Sequence, residues 1–364
     1  MRAGRRLLAR LDRAGWVTWE RQSPGAEILT VTNAWPSAEQ PMHGIFLART
    51  VDALAAEGVP SDVLFVRGYR GAHVYLAAGV ALAALAPPGP GSYRLVNSHG
   101  GETALAARCF WGGPVMASYW GSDILGPQAG GWRSRLKLLV QSRLLRAHSR
   151  LLTATTTKSE QMEGCLPAAV RARNRVIPDG VDRERFAPID QASARAALGW
   201  PADGIEVISV GRPIALKRLD LAQEAVREAA RTLPALRWRG VSDTDPADMP
   251  LVYNAADCLI HTSISEGSPN VVKEALACNL PVVATASGDI ETLLAGVEPS
   301  AVCPPGAAAQ ALATALLECV AQGRRSNGRT RSAHLGAQEI ARQTVARYRE
   351  LAPDLAIAAP ITRS

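Results

Sequence analysis

Short β-branched runs alternate with segments of helical period along this chain, and they do so in two series. That alternation restricts the chain to an α/β architecture built on parallel sheets. The first series reads as strands over 27–32, 61–66, 93–97, 114–118, 150–155 and 175–177, with helices over 45–58, 71–86, 101–110 and 132–148 between them. A long loop through Asn33, Trp35, Pro36, His43 and Gly44 separates the first strand from its helix. After the turn at Pro178-Asp179-Gly180 the second series begins. It has strands over 206–210, 236–239, 258–261 and 282–285, and helices over 217–232, 249–255, 307–322 and 335–351. At 364 residues the chain is long for one core and ample for two. The expectation is two doubly wound Rossmann-like domains facing a cleft. They span 23–185 and 186–335, preceded by a basic N-terminal extension over 1–22 and followed by a C-terminal helix and tail over 336–364.

The richest chemistry lies in SISEGSPNVVKEALACNLPVVAT, residues 263–285. Two carboxylates, Glu266 and Glu274, flank a loop of small residues. Ser268 is placed to cap a helix with Pro269 at its first position, and Asn279 or the turn to Pro281 stops it. The run 282–285 that follows is short and β-branched enough for a buried parallel strand. A helix start built this way aims free backbone N–H groups and a partial positive charge at whatever lies above it, and phosphate is the usual occupant. Glu266 stands beside any group attached to such a phosphate, and Glu274 is within reach of a ribose hydroxyl. A capped helix with two solvated glutamates is the competing reading.

The acid–seven residues–acid pattern inside SxxEGSPNVVxEALAxxxPVVAT resembles the signature of family 4 of the retaining glycosyltransferases. The resemblance is strongest over 205–320, weaker over 26–185 and absent from the first 20 residues. It implies a GT-B fold and a nucleotide-sugar donor. Closely similar segments occur in enzymes of surface polysaccharide assembly, which implies that surface or capsular subgroup. The Gly211-Arg212-Pro213-Ile214-Ala215-Leu216-Lys217-Arg218 segment is similar to the family's G-R-x-x-x-x-K-R/G, implying that Arg212 and Lys217 hold the donor diphosphate. Fixed cations suit a leaving group that departs with full negative charge. The same resemblance implies that Gly211, Gly267, Ser268, Pro269, Asn270 and Val271 line the donor, with the 268–271 amides cradling its diphosphate. It gives Glu274 the ribose and Glu266 the transferred sugar with its developing positive charge. Ser118-Tyr119-Trp120-Gly121-Ser122-Asp123-Ile124 resembles the family's x-x-H-G-S-D-I, with Trp120 in place of its histidine. Trp120 then offers an aromatic platform to a sugar, and Asp123 either bonds an acceptor hydroxyl or caps the following helix. Gly44 matches a position where the family needs a bare backbone, and His43 and His99 flank the same place by topology. The segment 177–186 is similar to the family's interdomain hinge, and the final helix is expected to pack back on the first domain. The family's Gly-x-Gly turn and long excursion after the strand at 236–239 are missing, which leaves the nucleotide base unread.

The net charge of +7 and pI near 9.3 suit acidic partners. A phosphate-bearing donor and an anionic membrane surface fit, and no nucleic-acid partner is expected. Arg133, Arg135, Lys137, Arg143, Arg146 and Arg150 interleave with leucines over 131–150, and that stretch contains no acid. It is either a core helix with a solvated basic side or a membrane-surface helix. Six cysteines show neither a C-x-x-C pair nor metal spacing, which fits a reducing cytosol. The N-terminus lacks an apolar signal-peptide region, and 74–86 reads as a core helix. Asp243-Thr244-Asp245 spells the D-x-D of metal-dependent transferases, but it sits in a Pro-flanked turn, and no metal is expected. The expected activity is metal-independent, cofactor-free retaining glycosyl transfer to a glycan or lipid-linked acceptor, in the cytoplasm or on the cytoplasmic face of a membrane. A nucleotide-sugar epimerase, a phosphorylase, or a non-catalytic partner in polysaccharide assembly shares these residues.

Overall fold

The computed structural model describes residues 2–23, 25–38, 40, 43–85, 92–127, 130–242 and 244–357. They fall into two compact units. Unit 1 comprises Met1–Pro127, Leu136–Asp179 and Gln338–Ser364, and unit 2 comprises Gln128–Arg135 and Gly180–Ala337.

Unit 1 carries β1 (Val17–Glu20), β2 (Ile28–Thr32), β3 (Ser61–Val66), β4 (Leu95–His99), β5 (Val115–Ser118), β6 (Ala154–Thr157) and β7 (Asn174–Val176). These form one sheet in the order β1-β3-β2-β4-β5-β6-β7, parallel throughout except that β1 runs antiparallel to β3. Its helices are α1 (Arg2–Arg13), α2 (Ile45–Ala56), α3 (Ala72–Leu85), α4 (Gly101–Ala107), α5 (Ser122–Leu125), α6 (Trp132–His148), α7 (Glu160–Gly164) and α8 (Ala168–Arg171), with the first turn of α6 counted in unit 2. The crossovers β3→β4, β4→β5 and β5→β6 all step the same way across the sheet. Right-handed connections therefore put α3, α4 and α6 on one face and α2 on the other.

The expected extension over 1–22 is instead part of this unit. Leu8 and Leu11 of α1 and Val17 of β1 are buried in the core under α3, and β1 closes the sheet edge against β3. The arginines and apolar residues of this basic segment form the amphipathic pattern of a helix with one buried side. The strand expected over 150–155 starts later, because Ser149–Leu151 makes a 3-10 turn. Its body is Thr155-Thr156-Thr157, polar residues that are buried and hydrogen-bonded.

Unit 2 carries β8 (Ile205–Val210), β9 (Leu236–Val241), β10 (Cys258–His261), β11 (Val282–Thr285) and β12 (Ala301–Cys303), parallel throughout in the order β12-β11-β10-β8-β9. Its helices are α9 (Gln191–Leu198), α10 (Leu219–Ala230), α11 (Met249–Ala255), α12 (Asn270–Ala277), α13 (Ile290–Leu293), α14 (Ala309–Val320) and α15 (Gly328–Arg331). Asp190 caps α9 by accepting from the Ser193 amide at 2.8 Å. The last helix, α16 (Ala337–Leu351), belongs to unit 1. Its Tyr348 is fully buried with Ile28, Leu54, Leu95 and Met116, on the sheet face that carries α2. All six cysteines are free thiols. No helix among the described residues is long and apolar enough to cross a membrane.

Candidate active site

In unit 2 the strand order reverses at β8: β9 lies on one side, and β10, β11 and β12 follow on the other. The crevice at the carboxyl ends of β8 and β10 is thus the topological switch point, where open α/β sheets bind ligands. The loop after β8 is Gly211–Lys217, and the loop after β10 is Thr262–Pro269. Three hydrogen bonds fasten them together. The Thr262 hydroxyl donates to the carbonyls of Lys217 (3.0 Å) and Arg218 (2.8 Å), and the Ile264 amide donates to Leu216 (2.9 Å). Gly211 has φ 146°, a conformation that favours glycine, and it lets the chain turn with the Lys217 stem lying across it.

This fastening puts Lys217 Nζ 2.6 Å from Glu266 Oε1, in a largely buried pair. His261, the last residue of β10, brings Nε2 to 3.6 Å from the same oxygen, beyond hydrogen-bond length, and that nitrogen is buried without a partner. Burial, helped by the Lys217 charge, lowers the His261 pKa to about 4, so the ring is neutral at physiological pH. Burial pulls the Glu266 carboxyl upward, but Lys217, His261 and the Ser263 hydroxyl more than reverse this, and Glu266 titrates below its ordinary 4.5. Glu266 is therefore ionised at neutral pH. Arg212 stands exposed on the same loop.

Helix α12 starts one residue later than the sequence suggests. Pro269 is its cap residue rather than its first helical position, and the Ser268 side chain makes no capping bond. Ser268 Oγ is instead buried without a partner, as are Asn270 Oδ1 and Ser287 Oγ. Pro269 has no N–H, so the cradle of backbone amides at this helix start cannot include it. Gly288 was not foreseen. At φ 63°, a Cβ there would lie 2.8 Å from the Glu266 carbonyl oxygen and 3.0 Å from that of Gly267, so the loop after β11 packs directly on the Glu266 loop. Buried polar atoms normally have partners, and three unpartnered ones on these adjoining loops fit a polar ligand with several oxygens. Asn279, in the left-handed region at φ 55°, ends the helix. Glu274 accepts a 2.8 Å hydrogen bond from Tyr253, which is fully buried. Gly267 is buried, and Val271 packs partly against the core.

The D-x-D reading has a plainer explanation at Asp245, whose side chain accepts from the Ala247 amide at 2.8 Å and caps a short 3-10 turn. Asp243 lies outside the described residues. Among the described residues no cluster of His, Cys, Asp or Glu is arranged to hold a metal ion.

Unit 1 reverses strand order at β2, so its switch point lies between β2 and β4. Gly44 has φ 77°, and a Cβ there would meet the Ala34 carbonyl oxygen at 2.3 Å. Its own loop therefore already demands glycine. His43 rests edge-on against Phe65. His99 ends β4 and is buried. Asn97 spends one amide hydrogen on His99 Nε2 (2.9 Å) and the other on Tyr348 Oη (2.7 Å), and its carbonyl accepts from Ser118. Nε2 being an acceptor, the His99 proton sits on Nδ1, and that buried donor has no partner. Burial and the Lys158 charge lower the His99 pKa to about 3. The Trp120 ring lies 6.2 Å from the His99 ring and is met edge-on by Phe46, and its indole N–H is also buried without a partner. Asp123 lies in the first turn of α5 and folds back on the residues before it. Its carboxylate accepts from the amides of Trp120 (3.1 Å) and Gly121 (2.9 Å). Gly121, at φ 148°, is the turn that permits this. Lys158, unremarked in the sequence, and Asp179 of the 178–180 turn form a 2.7 Å ion pair beside this cluster.

Comparison with known proteins adds to this geometry. Residues 197–322 match the family model described as "Glycosyl transferases group 1". The D-inositol 3-phosphate glycosyltransferase of Acidothermus cellulolyticus is 30% identical over 292 residues, 67% of this chain and 62% of that protein. The protein of the same name from Mycobacterium tuberculosis is 30% identical over 306 residues, 73% of this chain and 62% of its own. The chain thus spans about three-fifths of the relatives it matches. In backbone it resembles sucrose-phosphate synthase from Thermosynechococcus elongatus (TM-score 0.69, 20% identity, 89% of this chain and 99% of that one). It also resembles Anabaena HepE solved with UDP and glucose (TM-score 0.67, 16% identity, 90% and 100%).

Proposed function

We propose, from the match of residues 197–322 to the group 1 glycosyl transferase model and from the GT-B fold, that the chain moves a sugar from a nucleotide-diphosphate donor to a hydroxyl acceptor with retained anomeric configuration. The Lys217–Glu266 pair at the switch point of unit 2 carries this reading. The donor diphosphate lies over the start of α12, with Gly211, Gly267, Ser268, Asn270, Val271 and Ser287 around it, and Glu274 holds the ribose. Lys217 turns from Glu266 to the phosphates, with Arg212 joining it from solvent. Glu266, released from that pair, faces the anomeric carbon as positive charge develops there. The anomeric C–O bond to phosphate breaks, the acceptor oxygen bonds to the same face, and the acceptor proton passes to the departing phosphate oxygen. Lys217 and Arg212 offset the leaving charge, the task a metal performs in other transferases. In unit 1, the His99 Nδ1–H and Trp120 N–H are the donors offered to acceptor oxygens.

The relatives' names move the acceptor away from surface polysaccharide and toward a small phosphorylated polyol such as D-inositol 3-phosphate. The basic helices of unit 1 keep a lipid-linked acceptor in play. A transfer assay offering both forms distinguishes them. The donor is read by thermal shift with UDP-, GDP- and ADP-sugars, where a ligand at a hundred times its Kd adds about 2.7 kcal/mol. HepE, solved with UDP-glucose, puts UDP first in that panel. No shift with any nucleotide sugar would sink the reading. EDTA and Asp245→Asn should each leave transfer within about twofold; a strict metal requirement would overturn the cation mechanism.

A further inference from the structure

Helix α3 is apolar on both sides. It holds no Lys, Arg, Asp or Glu, and its polar residues, His73 and Tyr75, sit in its first turn; Val74, Ala78, Ala81, Leu82 and Leu85 are buried, yet Leu76 is 72% exposed and Val80 55%. A helix apolar all round is normally covered all round. Its neighbours extend the exposed apolar surface. On one side α1 crosses so closely that a Cβ on Gly4 would lie 2.6 Å from the Leu85 backbone nitrogen. On the other, α4 packs against α3 and presents Leu105, and beyond it Trp111 is exposed with its indole N–H fixed on the Ala83 carbonyl. Helix α6 is joined to α4 through Gln141 and Glu102 and lays Leu145 over Gly101, leaving Val140 and Leu144 outward. Because α3, α4 and α6 cover the same face of the sheet, these side chains share one outer surface.

The charges around it are mostly basic. Arg6, Arg10 and Arg13 of α1 are exposed, as are Arg108 after α4 and Lys137 and Arg143 of α6. The only acids in the four helices are Asp12 and Glu102, and Glu102 is engaged by Gln141 and Asn33. We propose that this four-helix surface docks reversibly on an anionic lipid bilayer, with Leu76, Val80, Leu105 and Trp111 entering the interface and the basic rims meeting the headgroups. An apolar strip between basic margins is the pattern of an interfacial element, and an exposed Trp suits the headgroup level. The basic segment read over 131–150 is one margin of this surface and α1 is the other.

The inference does not rest on the transferase reading. The test floats the full chain with phosphatidylglycerol–phosphatidylcholine vesicles and with phosphatidylcholine alone. We expect binding to the anionic vesicles only, weakened by salt. Lys137→Gln with Arg143→Gln should weaken it roughly thirtyfold, about fivefold per basic residue. Leu76→Ser with Val80→Ser should weaken it at least about tenfold and abolish what survives at high salt. Both variants should keep the wild-type melting temperature and any nucleotide-sugar shift. Failure of the wild-type chain to bind anionic vesicles at low salt overturns the proposal, as does equal binding by the variants. So does self-association that the Leu76/Val80 pair abolishes while vesicles are ignored, since a second copy would then cover the surface. A chain that binds vesicles but answers no nucleotide sugar would sink the transferase reading and leave this one standing.

Discussion

Lys217 holds Glu266 in its charged form against the pull of burial, and replacing it removes two things together. Lys217→Met takes away the cation that faces the leaving diphosphate, a charge interaction of about 4 kcal/mol at an effective dielectric of 20 and 4 Å. Transfer should fall roughly a thousandfold. It also leaves Glu266 buried beside a neutral His261, so its pKa should rise. In the wild type Glu266 stays ionised until pH falls below 4.5, and whatever stability its depressed pKa lends is present above that value and lost below it. In the variant the acid limb of the residual rate should move toward neutrality. A rate within about tenfold of wild type, or an unmoved acid limb, would take Lys217 out of the site. Glu266, Lys217 and Glu274 were legible in the sequence because their spacing carries the pattern. His261, Ser287 and Gly288 were not, because a strand end and a loop after the next strand meet them only in three dimensions. Ser268 was misread as a cap, since composition identifies a good capping residue but not whether the helix begins one residue later.

Among the elements, α12 is the one whose start and side faces serve different ends. Its first turn is left with unpartnered oxygens, while its second holds Glu274 against Tyr253 of α11. Tyr253→Phe deletes that bond without opening a cavity. If Glu274 binds the ribose, the freed carboxylate should raise the donor KM about tenfold, the worth of one hydrogen bond to a charged group, with kcat little changed. A fall in kcat at constant KM would instead place Glu274 on the reacting sugar. The parallel strands could be read in advance because both faces are buried and the runs are β-branched or small. What escaped were β1, four residues of mixed polarity at an antiparallel edge, and the three-residue β12, while β6 was placed too early because its three threonines are buried through hydrogen bonds rather than hydropathy. In each case the partner strand, not the local sequence, decides the structure.

At the scale of the whole molecule, the core of unit 1 is assembled from both ends of the chain. Tyr348→Ala should cost about 3–5 kcal/mol, the usual loss for a large buried aromatic. It should also strand Asn97, and through it the tautomer of His99. Thermal melts and histidine NMR would show both effects, and an unchanged melt would mean that α16 merely rests on the unit. The same arrangement has a consequence for the order of events on the ribosome. Ile28, Leu95 and Met116 emerge early, yet the Tyr348 and Leu355 that cover them are made about 230 residues or more later. At about 5–20 residues per second, the first-made unit waits many seconds with an apolar flank uncovered, while the strands and helices of unit 2, contained within Gly180–Ala337 apart from one short segment, are already complete. The nascent chain is thus a client for holding chaperones over that interval, and emergence of α16 is the step that ends its exposure.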